Sequence, residues 1–520
     1  MTKNQIYTIK IALIVALGGF LMGFDASVIS GVVKFIEPEF NLTKLELGWS
    51  VASLTLTATL AMIFSGPLSD KYGRRKVLQI AAMLYAISAI GSALAPTFFI
   101  LVVARMVGGL GVGASLILAP MYIAEISPPT MRGRMVSFNQ LNIVIGISVA
   151  FFTNYLILKF GQSESAWALN LKFDEYNWRW MLGLELLPAI LFYWGLFFVP
   201  KSPRWLVMKG QTDQALAIMK QFTDIKDAEK QIQEAMKSLH EDEKKDEASL
   251  MEFFKPAYRK VLAIGIVVAV LQQITGINSV FFYAPMIFEQ SGIGTDASFI
   301  QAILVGLTNL VFTVLAILFI DKLGRRPLLI GGLLGIAISM GILAYGFGTA
   351  NYQLTKESIS DLPSEISPES LAPLMDVNFA SDVTFKEAIR ATLGDKSAIA
   401  FESNLITAAI QMNPTLILIG ILGFVASFAI SIGPVMWVLF SELFPINIKG
   451  AAISFVGFIN SGVSYMVQQF FPWQLDTFGS SYTFLIYGLF AAAGLIFVIW
   501  AVPETKNKSL EELEKLLVKH

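Results

Sequence analysis

The sequence predicts an all-α membrane protein in which twelve transmembrane helices form two pseudo-symmetric six-helix halves. Three observations support this class: the composition is apolar, long apolar segments recur along the whole chain, and two motifs occur twice. Of the 520 residues, 55% are hydrophobic and only 15% are charged, and the mean hydropathy is +0.64. Soluble domains carry about 25% charged residues, so an ordinary soluble fold is excluded.

The apolar segments, called spans below, are each long enough to cross a bilayer as a helix of about twenty residues. Their centres fall near residues 20, 58, 86, 112, 147, 190, 272, 309, 338, 428, 462 and 491. The first span is long, contains Asp25 and lacks a small-residue cleavage pattern. We therefore expect it to be retained and not removed as a signal peptide.

Lysine and arginine concentrate in the loops that follow the even-numbered spans. The positive-inside rule then predicts that these loops and both termini are cytoplasmic, in a multi-pass protein of the inner membrane. We expect a six-helix N-terminal half at 1–200, a cytoplasmic helical linker at 201–257 and a six-helix C-terminal half at 258–520.

Two repeated motifs support the division into halves. "GPLSDKYGRRKVL" at 66–78 is echoed by "FIDKLGRRPLL" at 319–329, and "YIAEISPPTMRG" at 122–133 by "LFSELFPINIKG" at 439–450. Between their shared Asp the first pair is offset by 251 residues, and between their shared Glu the second by 317. The difference predicts an insertion on the outer side, at about 350–413, with a helical later part. Its role is left open between a lid, a partner surface and a tolerated loop.

Motifs across the chain carry a family resemblance: "GFDASVISG", "DKYGRRK", "AEISPPTMRGR", "PKSPRWL", "QQITGINSVFFYAP", "DKLGRRP", "GPVMWVLFSELFP" and "PETKNKSLEELE". Together they resemble the sugar porter family of the major facilitator superfamily. The likeness is greatest to bacterial D-xylose/proton symporters, because of the acid in the first span. The resemblance implies a secondary active transporter that works as a monomer and imports a monosaccharide, pentose or hexose, with a proton by alternating access.

The acid in question, Asp25, lies in an apolar run where an ionised carboxylate costs roughly 2.5–3.5 kcal/mol. Counting residues places it about six residues below the outer end of span 1, near Gly31, and places Arg105 of span 4 at the same depth. Arg105 favours ionised Asp25, whereas desolvation favours its protonated form. The hypothesis is that Asp25 takes up an outside proton and loosens its hold on Arg105. The alternative is an ion pair that only orders the two spans.

A sugar site requires amides that both donate and accept hydrogen bonds, together with an aromatic face. Span 7 supplies Gln272, Gln273 and Asn278, and unwinding at Gly276 can turn these amides toward one cavity. The alternative is that such amides only join membrane helices.

The resemblance extends the sugar site to positions in other spans. The residues that match sugar-contacting positions of the family are Gln140, Gln272, Gln273, Asn278, Asn309, Trp437 and Asn460. Tyr283 matches an aromatic residue of the outer gate, and Gly433 and Pro434 break the helix before Trp437. Many relatives carry Trp at the position of Ser461, so the sugar's identity cannot be inherited from the family.

Charged residues recur at the cytoplasmic ends of both halves, where they are expected to form a gate. Those assigned to it are Asp70, Arg74, Arg75, Glu125, Arg134, Asp321, Arg325, Arg326, Glu442 and Lys449. We expect the arginines of the repeated loops to donate to the two glutamates, although topology alone would also explain them. Lys449 and Lys201 stand where the family usually has Arg and Glu, which predicts a looser gate.

Composition excludes several other classes of site. Cysteine is absent and the two histidines lie in polar segments, so neither a metal nor a cofactor is expected. The net charge of −1 gives no reason to expect nucleic acid. No nucleophile-base pair supports an enzyme, and "GGLGVG" in span 4 fits helix packing better than nucleotide binding. The expected partners are a monosaccharide, protons and the lipid bilayer.

Two alternative functions stay open. A sugar uniporter would differ in that adding sugar to cells leaves an unbuffered medium at the same pH. A transport-inactive sugar sensor is less favoured, because such receptors tend to carry a long soluble tail and only 503–520 follow span 12.

Overall fold

The computed structural model describes residues 3–128, 131–242, 255–359, 362–363, 365–445, 448–506, 508 and 512–513. The end of the predicted linker, at 243–254, and the end of the tail, at 514–520, lie outside this part. The helices up to the linker are α1 (Lys3–Glu39), α2 (Lys44–Tyr72), α3 (Arg74–Ala93), α4 (Phe98–Ile126), α5 (Arg132–Gly161), α6 (Ala166–Asn170), α7 (Asn177–Gly183) and α8 (Leu186–Gly195). Three helices of the predicted linker follow: α9 (Pro203–Met208), α10 (Thr212–Met219) and α11 (Ile225–Asp242).

The rest of the described chain is also mainly helical. Its helices are α12 (Arg259–Ile274), α13 (Ile277–Phe282), α14 (Ala284–Glu289), α15 (Gly294–Leu323), α16 (Arg325–Gly348), α17 (Asp382–Leu393), α18 (Asp395–Ala409), α19 (Pro414–Ile430), α20 (Ile432–Leu443), α21 (Lys449–Thr477) and α22 (Gly479–Ala501). Two short 3-10 helices lie at Pro256–Tyr258 and Pro368–Leu374. The only strands among the described residues are β1 (Asn351–Tyr352) and β2 (Ile410–Gln411).

Within the described residues, eleven helical segments are long and apolar enough to cross a membrane, and they coincide with eleven predicted spans. The remaining span, the sixth, consists of α7 and α8, which are separated at Leu184 and Glu185. Pro188 explains the interruption, because its ring clashes with the carbonyl of Leu184 four residues earlier and it offers no N–H. The predicted class, an all-α protein with twelve membrane-crossing segments, is confirmed.

The first span is longer than predicted. It was expected to end near Gly31, but α1 continues to Glu39. The reason is packing: Val32, Val33 and Ile36 in this extension are all buried. Asp25 therefore lies nearer the middle of α1 than its end.

The chain divides into two compact units. The first consists of Met1–Ser27, Ser53–Ala150 and Arg179–Glu252, and the second of Val28–Ala52, Phe151–Trp178 and Phe253–His520. Parts of α1, α2, α5 and α7 thus belong to each unit. The division into two halves and a linker stays a prediction.

Helices in the first unit pack closely along α4. A Cβ atom on Gly109 would lie 2.4 Å from the backbone oxygen of Leu54, and one on Gly113 would lie 2.2 Å from that of Ala58. These approaches leave no space for a side chain between α2 and α4. The interpretation of "GGLGVG" as a helix-packing segment is confirmed.

The predicted insertion is a small folded body, called the insertion module below and defined as the described residues of 351–411. Its ends are joined by the antiparallel pairing of β1 and β2. Its later part is helical as predicted, beginning at Asp382 and broken at Gly394, whose φ of 77° favours glycine. The module has its own buried core, formed by residues that include Leu354, Leu374, Phe385 and Leu405. We call the end of the second unit that carries it the insertion side.

Truncating the centre of this core tests whether the module is folded. Phe385 is fully buried, with its ring 5.6 Å from Tyr352 and 5.4 Å from Phe379. We expect Phe385→Ala to lower local stability by about 3–5 kcal/mol, because the cavity cannot fully collapse. Hydrogen exchange of α17 and α18 should accelerate, whereas Val377→Ala at an exposed position of the module should leave it unchanged. Equal exchange in the two variants would contradict a packed core.

Candidate functional site

Asp25 and Arg105, the two charged residues predicted to meet, form an ion pair in the first unit. Arg105 on α4 donates from Nη1 to Oδ1 of Asp25 on α1 over 2.7 Å, and from Nη2 to the backbone oxygen of Asp25 over 3.3 Å. Both residues are at most 1% exposed. An ion pair in such surroundings is stable only while each charge has its partner.

Packing around the pair leaves part of each charged group without a partner. Oδ2 of Asp25 and Nε of Arg105 make no hydrogen bond within the described residues. A Cβ atom on Gly108 would lie 3.0 Å from Oδ2 of Asp25 and 2.5 Å from Oγ of Ser88, so glycine is required there. The carboxyl group of Asp25 therefore retains one buried oxygen that can carry a proton.

A second buried acid, Glu185, lies close to this pair and was missed in the sequence. It is 1% exposed, sits in the interruption between α7 and α8, and interacts electrostatically with both Asp25 and Arg105. One oxygen of its carboxyl group makes no hydrogen bond within the described residues. The signal that could have revealed it is the single acid in "RWMLGLELLPAILFYW", which costs as much at membrane depth as Asp25 does.

The amides of span 7 are brought together in the second unit by a break in the helix. Helix α12 ends at Ile274, and Gly276 adopts a left-handed φ of 92° before α13 begins. The turn lets Asn278 donate from Nδ2 to Oε1 of Gln273 over 2.7 Å. Gln273 in turn donates from Nε2 to Oε1 of Gln272 over 3.1 Å. The predicted unwinding at Gly276 is confirmed.

Asn460 on α21 completes what we call the amide cluster, defined as Gln272, Gln273, Asn278 and Asn460. It donates from Nδ2 to Oε1 of Gln272 over 2.8 Å and accepts from Nε2 of Gln273 over 3.1 Å. Each amide thus both donates and accepts, or can do so, within one uncharged patch. That is the chemistry that sugar hydroxyl groups require.

The amide cluster also contacts the backbone near the break between α19 and α20. Gln272 donates from Nε2 to the backbone oxygen of Gly433 over 3.0 Å. The break falls at Ser431 and not at Gly433 and Pro434 as predicted, because the Pro434 ring excludes a regular turn at the carbonyl of Ile430. The indole ring of Trp437, on α20, is 49% exposed and available for contact.

Two other predicted sugar-contacting residues, Asn309 and Gln140, are not among the members of the cluster. Asn309 is buried on α15 but makes no hydrogen bond to the cluster, and Gln140 is exposed on α5 in the first unit. Tyr283 is fully buried, and its hydroxyl group donates to the backbone oxygen of Gln468 over 3.1 Å. Ser464 was missed: its Oγ accepts from Asn278 over 2.6 Å. Its position, one helical turn after Asn460, could have indicated it.

The charged motif of the first repeat forms a network within the first unit. Arg74 contacts Oδ1 of Asp70 over 2.6 Å and Oε1 of Glu125 over 3.2 Å. Oγ of Ser202 donates to the other oxygen of Glu125. Arg134 is exposed and makes no ion pair with Glu125.

The second unit repeats this network. Arg325 forms a two-pronged contact with Glu442, at 2.7 Å from Nη2 and 3.1 Å from Nε, and lies 3.1 Å from Asp321. Oγ1 of Thr505 donates to Glu442 over 2.6 Å, as Ser202 does to Glu125. Within the described residues, Lys449 does not contact Glu442.

The second arginine of each repeat does not make the expected contact with a glutamate. Arg75 lies over the ring of Phe197, and Arg326 donates from Nη2 to the backbone oxygen of Ile499. Neither donates to Glu125 or Glu442 in the described structure. The next helix of each unit begins at the first arginine, which turns the second side chain away.

One charge reversal distinguishes the two networks. The carboxylate of Glu504 accepts the backbone N–H groups of Arg325 and Arg326 at 3.1 Å each, at the start of α16. Partial burial acts to raise the pKa of Glu504, but these backbone donors and those of the tail lower it overall. In the first unit the corresponding residue is Lys201, whose ammonium group lies over the ring of Trp205. The start of α3 therefore lacks the anion that α16 has.

Comparisons of the whole chain with known proteins show the family to which it belongs. The family model described as "Sugar (and other) transporter" matches residues 11–362 and 397–517. The chain is 35% identical to an arabinose-proton symporter of Bacillus subtilis over 99% of this chain and 96% of that protein. It is 34% identical, over the same shares, to a D-xylose-proton symporter of Escherichia coli. The solved inward-open structure of the E. coli xylose transporter XylE superposes with a TM-score of 0.74, at 33% identity, over 98% of this chain and all of that one.

Fold and buried charges together define a multi-pass membrane transporter of the major facilitator class, and not an enzyme. The chain belongs to the sugar transporter family. The family model omits 363–396, which lie within the insertion module.

The difference between Glu504 and Lys201 predicts the effect of exchanging the charge. Lys201→Glu should stabilise the first unit by about 0.3–1 kcal/mol, because a carboxylate then faces the N-terminus of α3. Glu504→Gln should destabilise the second unit by a similar amount. Thermal unfolding of the purified protein measures both changes. A lower midpoint for Lys201→Glu would show that the two networks are not equivalent.

Proposed function

We propose that the protein imports a monosaccharide, a pentose or hexose, together with one proton, by alternating access across the inner membrane. Its cytoplasmic side is then the end opposite the insertion module, and the monomer is the working unit. Relatives named as arabinose-proton and D-xylose-proton symporters support the substrate class and the coupling. The particular sugar differs between these relatives, so the proposal stays at the level of the monosaccharide.

The main support for coupling sugar import to a proton is the charge balance of the buried site. Asp25 and Glu185 are two carboxyl groups facing a single guanidinium, that of Arg105. With both acids ionised the site would hold one uncompensated negative charge at membrane depth, which is strongly unfavourable. One bound proton makes it neutral. The site is therefore suited to take up one proton and to release it when Arg105 changes its partner.

Proton movement can be linked to helix movement through the same residues. Asp25 lies on α1, Arg105 on α4 and Glu185 between α7 and α8, so the pairing of Arg105 depends on how these helices are placed. A proton on Asp25 weakens its bond to Arg105 and frees the guanidinium for Glu185. A two-state rocking motion is biased only by such a difference in interaction between its states.

The amide cluster is proposed to bind the sugar. Its amides hydrogen-bond to one another, so they stay satisfied in a buried position when no sugar is bound. Sugar hydroxyl groups can replace these bonds one for one, while the exposed ring of Trp437 covers the C–H face. Few buried polar groups are then left without a hydrogen-bond partner, whether or not sugar is bound.

Removing either acid tests the coupling. We expect Asp25→Asn and Glu185→Gln each to reduce the sugar accumulation ratio to about one, since the remaining acid and Arg105 form a neutral pair without a proton. Exchange of labelled for unlabelled sugar should persist, because no net proton transfer is needed. Glu175→Gln, at an exposed acid, is the control. Persistent accumulation in both variants would show that neither acid couples sugar to protons. A sugar uniporter, whose ion pair is only structural, would give a ratio of about one in the unmodified protein as well.

Removing one member of the amide cluster tests the sugar site separately. Asn460→Leu removes one of the two hydrogen bonds made by Oε1 of Gln272 and one of the two made by Nε2 of Gln273, and it removes a donor to the sugar. We expect sugar binding to weaken by about tenfold or more. Asn142→Leu is the matched control, because Asn142 bonds only within its own helix. Binding measured calorimetrically should change in the first variant alone; equal affinities would place the sugar elsewhere.

A further inference from the structure

The insertion module reaches helices from both ends of the sequence, and its polar contacts with them include several ion pairs. On one face Arg390 of α17 holds Asp476 at the end of α21, with Nη2 2.5 Å from Oδ1 and Nη1 3.2 Å from Oδ2. Asp382 accepts the backbone N–H of Ser480 at 2.9 Å, at the start of α22. This face therefore fixes the module to the C-terminal helices.

The module also reaches α1 and α2. Glu402 of α18 lies 3.4 Å from Nζ of Lys44 at the start of α2, and 3.4 Å from Nζ of Lys386 in α17. Lys44 is also 2.6 Å from Glu37 of α1. The four side chains are 4–16% exposed and carry two positive and two negative charges. The cluster is thus neutral and largely shielded from water.

A second contact lies beside it. Glu289 of α14 accepts from Lys34 of α1 over 2.5 Å and from Oγ of Ser403 of the module over 2.9 Å. Below these pairs α2 and α21 are in direct contact, since a Cβ atom on Gly48 would lie 2.0 Å from the backbone oxygen of Gln469. The ion pairs therefore cover a closely packed junction.

We propose that the insertion module is an ion-pair strap that holds the insertion-side ends of α1 and α2 against the C-terminal helices and must release them for sugar to enter from that side. The inference rests on the alternating-access function proposed above. It assigns a role to a segment whose central part, 363–396, the family model does not match.

Ion pairs suit a contact that must open repeatedly. When α1 and α2 move away, Lys44, Glu37 and Glu402 are rehydrated, which offsets most of the attraction that is lost. An apolar seal of the same area would expose hydrophobic surface to water on every cycle. Several such pairs acting together shift a two-state equilibrium without locking it.

The strap should also withstand an acidic exterior. Burial alone would raise the pKa of Glu402, but Lys44, Lys386 and Arg390 lower it to about 2, against the repulsion of nearby Glu37. Because the folded pKa is depressed, the contribution of Glu402 is complete above its ordinary value of 4.5 and is lost only as the pH falls toward about 2. Glu402 therefore keeps its charge at the mildly acidic pH at which proton import is favoured.

The natural chain contains no cysteine, so two spin labels can be placed without removing any residue for that purpose. Leu45→Cys on α2 and Tyr482→Cys on α22 are both exposed positions on the insertion side. Their separation in purified protein, without sugar or a proton gradient, reports whether α2 has moved from the C-terminal helices. The result is independent of whether transport is proton-coupled.

We expect Arg390→Asp to increase the population with the longer distance about threefold or more, and the double variant Arg390→Asp with Asp476→Arg to restore it. Lys172→Met is the matched control, because it breaks an exposed ion pair with Glu175 outside the module. Distances in Arg390→Asp equal to those of the control, or a lengthening that the charge exchange does not reverse, would overturn the proposal.

Discussion

One guanidinium facing two buried carboxyl groups is the interaction on which the first unit depends. Arg105 can neutralise Asp25 or Glu185, but not both, and neither acid has access to water. The surrounding helices are built to allow this arrangement: Gly108 leaves space for the carboxylate of Asp25, and Pro188 opens the helix in which Glu185 sits. An apolar membrane makes an unbalanced charge costly, and that cost is what can link a proton to a conformation.

The second unit meets the opposite requirement, since a sugar is polar but uncharged. Two helix breaks, at Gly276 and Ser431, expose backbone and amide groups at the depth of the membrane spans. Irregular backbone is tolerated there only when it lines a cavity or is buried in protein. The amide cluster satisfies that condition by bonding internally and to the carbonyl of Gly433. Charge in one unit and neutral polarity in the other are what the proposed division between proton coupling and sugar binding requires.

The sequence predicted features that depend on composition or on one residue type. Apolar length located the spans, and the cost of a buried charge led to Asp25 and Arg105, which do meet. The same reasoning applied to span 6 would have found Glu185. Features that depend on tertiary packing were not predictable. They are the extension of α1 beyond Gly31, the contacts that Arg75 and Arg326 make in place of the two glutamates, and the separate core of the insertion module. Each is decided by neighbours that are distant in the chain.

The central claim is that the buried site binds one proton for each sugar transported. The most direct measurement is the simultaneous uptake of labelled sugar and of protons by proteoliposomes that contain the purified protein. The account predicts about one proton per sugar, with sugar uptake driving alkalinisation of the external medium even when no pH gradient is imposed. Sugar uptake without any change in external pH would contradict it, and would leave Asp25, Glu185 and Arg105 as a purely structural cluster.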